Sequence, residues 1–340
     1  MGRWRFTEEE TMTERGITDR NLALEAVRVT EASALASARL MGRGDEEAAD
    51  RAAAEAMFEA LQILSVDGTV RIGERNTIGN ARLAVGTKVG NGSGPKVDVA
   101  LLPLEGPTII ARGEPNGISV IAMTQEGGFL CVPDVYMEKI AVGRDLPDDV
   151  VDLDAEPATN LKELAKAKKV AVSDLVVCTL DRPRHKEIIA KIRAAGARIM
   201  LMADGDVSGI IAASQPESVV DMYLGTGNAA QGVLAAAALT CIGGQMQARL
   251  VLRSDDDKAL AAGAGIKDTS RRYAVREMAS GDVTFAATGV TTGPMLAGVR
   301  RRGTWAITQS LVMRSKTGTL RYIEAHHNIG RPAVVRKVNG

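Results

Sequence analysis

An α/β fold is predicted by three features of this 340-residue chain: strand-like runs set off by glycine from Thr69 onward, alternating helical and strand-like segments from about Asn160, and a hydrophobic content of 45%. That length and apolar content suffice for two modest domains or one large α/β unit.

The elements follow in order. Residues 1–16 read as a polar tail, after which Thr18-Asp19 offers an N-cap to a helix with Leu22, Ala26, Val29, Ala32 and Leu35 at three- and four-residue spacing. Gly42-Arg-Gly-Asp45 opens a second helix. Asp45 suits its cap, Glu46 and Glu47 suit its positive first turn, and Ala54, Met57 and Leu61 make an inward stripe that Asp50 shares. The strand-like runs are TVRIGE, KVDVALL, PTIIARG, GISVIAM and GGFLCV. A soft boundary falls within LPDDVVDLDAEPATN and divides the chain into halves over 17–155 and 156–325, with a C-terminal tail over 326–340. Beyond it LKELAKAKK, LVVCTL, HKEIIAKIRAAG, ARIMLMA, a helix after Asp204-Gly-Asp206, VVDMYL and AAQGVLAAAAL alternate helix and strand. Such alternation predicts βαβ units that bind ligands at the carboxyl ends of their strands.

Composition excludes several function classes. Lysine plus arginine and aspartate plus glutamate number 42 each, so no bulk charge points to nucleic acid or an anionic membrane. The chain has no apolar run of membrane-spanning length. Its start, MGRWRFTEEE, is too polar for a secretory signal. Cys131, Cys178 and Cys241 lack metal-type spacing and read as reduced core residues of a cytoplasmic protein.

Two groups of residues carry chemistry. Asp50 lies on an apolar helix stripe, Glu74 closes TVRIG, and Glu105 follows KVDVALL. Carboxylates in such places are costly unless paired or bound to cations, and an oxygen-rich set suits Mg²⁺ or Mn²⁺. In the second half, Asp181-Arg-Pro-Arg-His185, Ala203-Asp-Gly-Asp206 and Gly225-Thr-Gly-Asn228 each join a strand to a helix. Backbone N–H groups there, with Arg182 and Arg184, suit a small anion such as a sugar phosphate. His185 reads either as a catalytic base or as a capping or phosphate-facing residue. The spacing at Gly225 and Gly227 is not the dinucleotide fingerprint, and no G-x-S-x-G motif is present.

GRGDEEAAD, DGTVRIGE, GTKVGNGSG, PDVYMEKIAVG, RPRH, DGDV, the Y-x-G-x-G turn at 223–227 and FAATGVTTG at 285–293 occur in this order. With them the chain resembles the class II fructose-1,6-bisphosphatases, some of which also act on sedoheptulose-1,7-bisphosphate, from about residue 17 to 325. The resemblance implies a layered αβαβα fold related to the inositol monophosphatase-like phosphatases. It also implies a phosphoric monoester hydrolase that cleaves a sugar 1-phosphate with Mg²⁺ or Mn²⁺, and a dimer or tetramer. Carried over by position, it implies Asp50, Glu74 and Glu105 as metal ligands and Glu105 at the reacting centre, where Thr108 stands in for the motif's threonine if the loop shifts by one position. The substrate contacts so implied are Glu105, Gly106, Pro107, Tyr136, Arg182, Pro183, Arg184, Asp204, Gly205, Asp206 and Asn228.

The chain departs from the family pattern at the metal centre. The D-P-I-E-G-T motif reads Leu102-Pro-Leu-Glu-Gly-Pro107, a family glutamate is Gln231, the lysine after GRGD is Glu46, and G-E-G-E-x-D-E-A-P is replaced from Gly73 to Ala81. Asp98 is about 13 Å along the strand from Leu102, too far to take over its place. Three readings follow: a bisphosphatase with a reduced metal site, a phosphosugar-binding homologue without turnover, and a phosphosugar isomerase, epimerase or lyase.

Overall fold

The structure, a computed structural model, describes residues 15–74, 81–215 and 217–330. The first 14 residues of the polar tail, most of the departing stretch after Gly73, and residues 331–340 lie outside the described residues.

Helices α1 (Arg15–Ser37) and α2 (Glu46–Gln62) open the fold. The Asp45 carboxylate accepts the Ala48 N–H at 2.9 Å, and Ala54, Met57 and Leu61 are buried. Helix α1 starts before Thr18-Asp19, so that pair lies inside it. No proline holds the start back, and a cap preference is small beside the packing of a 23-residue helix.

Strands β1 (Asp67–Ile72), β2 (Lys88–Val89) and β3 (Lys96–Glu105) lead to helix α3 (Pro107–Arg112) and strand β4 (Ile118–Gln125). PTIIARG, expected as a strand, is therefore a helix. Gly106 at φ 85° turns the chain into the left-handed region, Pro107 is preset for a first helical position, and Gly113 at φ 69° ends the helix. GGFLCV is not a strand either: Phe129 makes one isolated bridge to Ala279, and Cys131, expected in the core, is exposed.

The chain continues through β5 (Tyr136–Val142), α4 (Pro157–Lys168), β6 (Val176–Leu180), α5 (Lys186–Ala194), β7 (Arg198–Met202), α6 (Asp206–Ser214), β8 (Met222–Asn228) and α7 (Ala229–Ile242). After it come β9 (Gln245–Val251), α8 (Asp255–Gly263), β10 (Tyr273–Ala274), α9 (Val275–Met278), β11 (Thr284–Gly289), β12 (Arg300–Arg302), β13 (Trp305–Arg314) and β14 (Thr319–Asn328). One sheet runs β12-β13-β11-β4-β3-β1-β2, with β14 also on β13. The other runs β10-β9-β5-β8-β6-β7, with β6 parallel to β7 and β8 and β5 antiparallel to β8 and β9. Strands β11 to β14 rejoin the first sheet through β11 and β4, so the sequence halves overlap in space. Residues 326–328, expected in a tail, complete β14.

The sheets and helices form αβαβα layers, as expected. Strand alternation assigns each face. Val97, Val99 and Leu101 of β3 pack on Met57 and Leu61 of α2, while Ala100 belongs to the central core. In β5, Met137 and Ala141 face that core, and Ile140 and Val142 face Leu161, Leu164 and Ile192 of α4 and α5. Helix α7 is apolar on nearly all sides, as its burial between the sheets requires. Among the described residues, no helix is long and apolar enough to cross a membrane.

Candidate functional site: a two-walled cleft

A cleft of about 690 Å³ is lined from both sheets. One wall carries Asp50 of α2, Glu74 after β1, and Leu102, Glu105, Gly106 and Pro107 at the end of β3. The other carries Tyr136 at the start of β5, Arg182 and Arg184 after β6, Asp204 after β7, and Asn228 and Gln231 where β8 enters α7. Strands β6, β7 and β8 all point their carboxyl ends this way, which is why loops distant in sequence meet here.

On the first wall, burial raises the pKa of Asp50. Glu74 is raised by burial and further by the charge of Asp50, against a hydrogen bond from the Leu83 N–H at 2.9 Å. These two acids therefore sense each other. Glu105 belongs elsewhere: its Oε1 accepts the Val207 N–H at 3.0 Å and the Gln231 Nε2–H at 3.2 Å, and its Oε2 is buried without a partner. Burial pushes Glu105 up to about 8, and the acidic neighbours that add to the rise are Asp204 and Asp206. The expected trio thus does not converge, because the amino end of α6 holds Glu105. Among the described residues, no three His, Cys, Asp or Glu side chains are grouped as a metal ion would need. Asp98 is occupied by Arg71 at 2.8 Å and the Gly127 N–H at 2.7 Å. Thr108 is outside the cleft lining and donates to Glu46 at 2.9 Å.

The second wall is tied together by polar contacts. Arg182 lies 3.4 Å from Asp204, and Arg184 Nε donates to the Thr226 carbonyl at 2.8 Å. Arg184 also stacks over Tyr136, its guanidinium 5.0 Å from the ring centre. His185 settles as a structural residue. Its Nε2 accepts the Thr226 N–H at 2.8 Å, so Nδ1 is the donor to the Leu180 carbonyl at 2.8 Å. Both ring nitrogens are engaged, and burial lowers its pKa and keeps it neutral. Pro183 shapes the short turn beside it, outside the cleft lining. Asn228 caps α7, accepting the Ala230 N–H at 2.8 Å and donating to Asp134 at 2.8 Å.

Asp204-Gly205-Asp206 splits between cleft and interior. Gly205 at φ 101° makes the turn into α6, and Asp206 is fully buried behind the wall. There Asp206 pairs with Lys139 and accepts the Tyr223 O–H at 2.9 Å. Lys139 also donates to the Asn228 carbonyl at 3.1 Å, so the same ammonium holds the end of β8. Gly227 must be glycine, since a Cβ there would lie 1.8 Å from Asp206 Oδ2. Lys139 and Tyr223 were not foreseen as site residues. The one local hint for Lys139 is its alternation with Met137 and Ala141, which puts it on the central face.

The comparisons agree with this geometry. A family model described as bacterial fructose-1,6-bisphosphatase, glpX-encoded, matches residues 20–327. The class 2 fructose-1,6-bisphosphatase of Haemophilus influenzae is 38% identical over 322 residues, covering 91% of this chain and 96% of that protein. Fructose-1,6-bisphosphatase 1 class 2 of Escherichia coli K12 is 38% identical over 332 residues, covering 92% and 96%. With a match along almost the whole chain and a cleft that joins an acidic wall to an arginine-bearing one, this protein belongs to the bacterial class II fructose-1,6-bisphosphatase family.

Proposed function

We propose that the cleft binds a sugar bisphosphate and that the chain hydrolyses its 1-phosphate with one Mg²⁺ or Mn²⁺ at Asp50 and Glu74. One observation carries the reading: Asp50 and Glu74 share a single cleft with Arg182 and Arg184 of the facing wall. Two half-buried carboxylates, each raised in pKa by burial, fit a hard cation that would offset their charge. Asp50 and Glu74 would hold such an ion through their carboxylate oxygens, the donor type that Mg²⁺ and Mn²⁺ prefer. When bound, such an ion neutralises phosphate oxygens and makes a nearby water a better nucleophile.

The chain's own groups do the rest. Arg182 and Arg184 hold a phosphate by charge-assisted hydrogen bonds. Glu105 and Gln231 fix the amino ends of α6 and α7 at the cleft floor. Leu102 and Gln231 bring no negative charge, which supports a centre of one ion rather than several.

Phosphate release from fructose-1,6-bisphosphate with added Mn²⁺ or Mg²⁺ tests the proposal. We expect turnover that Asp50→Asn and Glu74→Gln each lower about 100-fold and that a chelator stops. Leu102 and Gln231 also favour a second reading, a phosphosugar-binding homologue without turnover. Calorimetric binding of the bisphosphate with no phosphate released at any metal concentration would establish that reading instead. An isomerase, epimerase or lyase has less support, because His185 and Asp206 are both fully engaged within the protein.

A further inference from the structure

We infer that Arg253, just outside the cleft lining and stacked on the lining residue Tyr136, is a specificity-determining residue that joins Arg184 to grip the second phosphate of a sugar bisphosphate. The inference rests on the proposed bisphosphatase reading and adds a residue to it. Tyr136 opens β5 and is paired in register with Asn228 of β8 on one side and Val251 of β9 on the other. Strand β9 ends at Val251, so Arg253 emerges from its carboxyl end at the same sheet edge as Arg182, Arg184 and Asp204. Its guanidinium lies 3.9 Å from the centre of the Tyr136 ring, which also carries Arg184 at 5.0 Å.

Two guanidinium groups are thus gathered on one aromatic side chain of the cleft lining, Arg184 within that lining and Arg253 beside it. Among the described residues neither is ion-paired: Arg184 donates from Nε to the Thr226 carbonyl, and Arg253 uses only its backbone N–H, to Asp257. Arg182, by contrast, has Asp204. The aromatic quadrupole attracts each cation but does not neutralise either, so their mutual repulsion is left for a ligand to offset. A dianionic phosphate with several acceptor oxygens matches two planar donor forks.

The backbone of Arg253 is prepared for the task. Asp257 accepts its N–H at 2.7 Å while Ser254 Oγ accepts the Asp257 N–H at 3.1 Å, so the first turn of α8 pins the residue and leaves the side chain to stack. Because Asp50 and Glu74 occupy the facing wall, the arginine group is assigned to the phosphate that is kept and not to the one removed.

The test uses the full chain, with Arg253→Ala and Arg253→Lys, on fructose-1,6-bisphosphate and on fructose 1-phosphate, which lacks the second phosphate. Arg253 is exposed, so both variants are expected to melt with the wild type. Arg253→Ala should raise KM for the bisphosphate about tenfold or more with kcat within about twofold, leave kcat/KM for fructose 1-phosphate unchanged, and be partly restored in Arg253→Lys. An unchanged KM, or an equal loss on both substrates, overturns the assignment. If the wild type has no turnover, calorimetry with fructose-1,6-bisphosphate replaces the assay. Binding by the wild type weakened about tenfold in Arg253→Ala supports Arg253 while the hydrolytic reading falls. Equal binding by both overturns Arg253 alone, and no binding by either overturns both.

Discussion

On the arginine-bearing wall of the cleft, nearly every polar group is held by another. Lys139 joins Asp206 to the end of β8, Tyr223 completes the Asp206 carboxylate, and His185 ties the Arg184 loop to β6 through Nδ1 and to β8 through Nε2. On the acidic wall, Asp50 and Glu74 are raised in pKa by burial, while Leu102 and Pro107 bring apolar surface into the same cleft. Asp50 and Glu74 on the acidic wall carry little fixed support, and the arginine-bearing wall carries a great deal. A phosphate grip and a cation grip are therefore separable parts of one cleft: the first can stay intact on its own framework while the second is reduced.

The comparison predicts that the well-tied wall is where single changes cost most stability. Lys139→Met leaves Asp206 as an unpaired buried charge, and thermal or urea denaturation should show a loss of about 3–5 kcal/mol. Adding Asp206→Asn removes that charge and should recover a large part. A full-strength Lys139→Met protein would show that the buried pair does not hold this wall.

On the acidic wall the largest effect falls on activity rather than folding. Asp50→Asn should lower phosphate release about 100-fold, roughly 3 kcal/mol of barrier, with melting temperature unchanged or raised, because a half-buried charge is removed. Wild-type activity in the Asp50→Asn variant would move the cation elsewhere.

Glu105 separates the walls through pH. Its folded pKa of about 8 stands above its ordinary 4.5, so the unfolded chain loses this proton first. Its contribution to stability is fully present below about pH 4.5, declines as pH rises, and is gone once pH passes about 8. In chelator-treated protein, Glu105→Gln should flatten that decline and gain on the order of a few kcal/mol relative to wild type between pH 5 and pH 8.5, read by urea titration. Parallel pH profiles would contradict the buried setting of Glu105.

The smallest expected effect is a gain. Leu102→Asp with Gln231→Glu should tighten Mn²⁺ binding about tenfold by adding two oxygen ligands, measured by calorimetry. No change would mean that these positions lie too far from the cation to matter.

The sequence made much of this legible where local pattern and tertiary structure agree. TVRIG, KVDVALL and GISVIAM became strands of the first sheet, and the loops after LVVCTL and ARIMLMA came together at one edge with Gly225-Thr-Gly-Asn228, which was expected as a loop and forms the end of β8 because it pairs in register with β5. The errors have physical causes. Ile109 and Ile110 gave PTIIARG a strand-like look, but positive φ at Gly106 and Gly113 with a proline between them makes a short helix. Strand β14 has mostly exposed or half-buried residues and no apolar alternation to announce it; only its ten-residue register with β13 defines it. Glu105 closes β3, yet its orientation depends on the amino end of α6, roughly a hundred residues later, which no local pattern encodes. Lys139 was hidden for a related reason: alternation groups it with Met137 and Ala141, but its partner Asp206 lies 67 residues later and no local pattern encodes that pairing.

The most direct test is a calorimetric Mn²⁺ titration of the wild-type chain and Asp50→Asn, with and without fructose 6-phosphate plus inorganic phosphate as the product pair. We predict one Mn²⁺ per wild-type chain, bound tightly only when the product pair is present, and none in Asp50→Asn. Two ions per chain, or an ion bound equally well by Asp50→Asn, would contradict a cation grip reduced to Asp50 and Glu74.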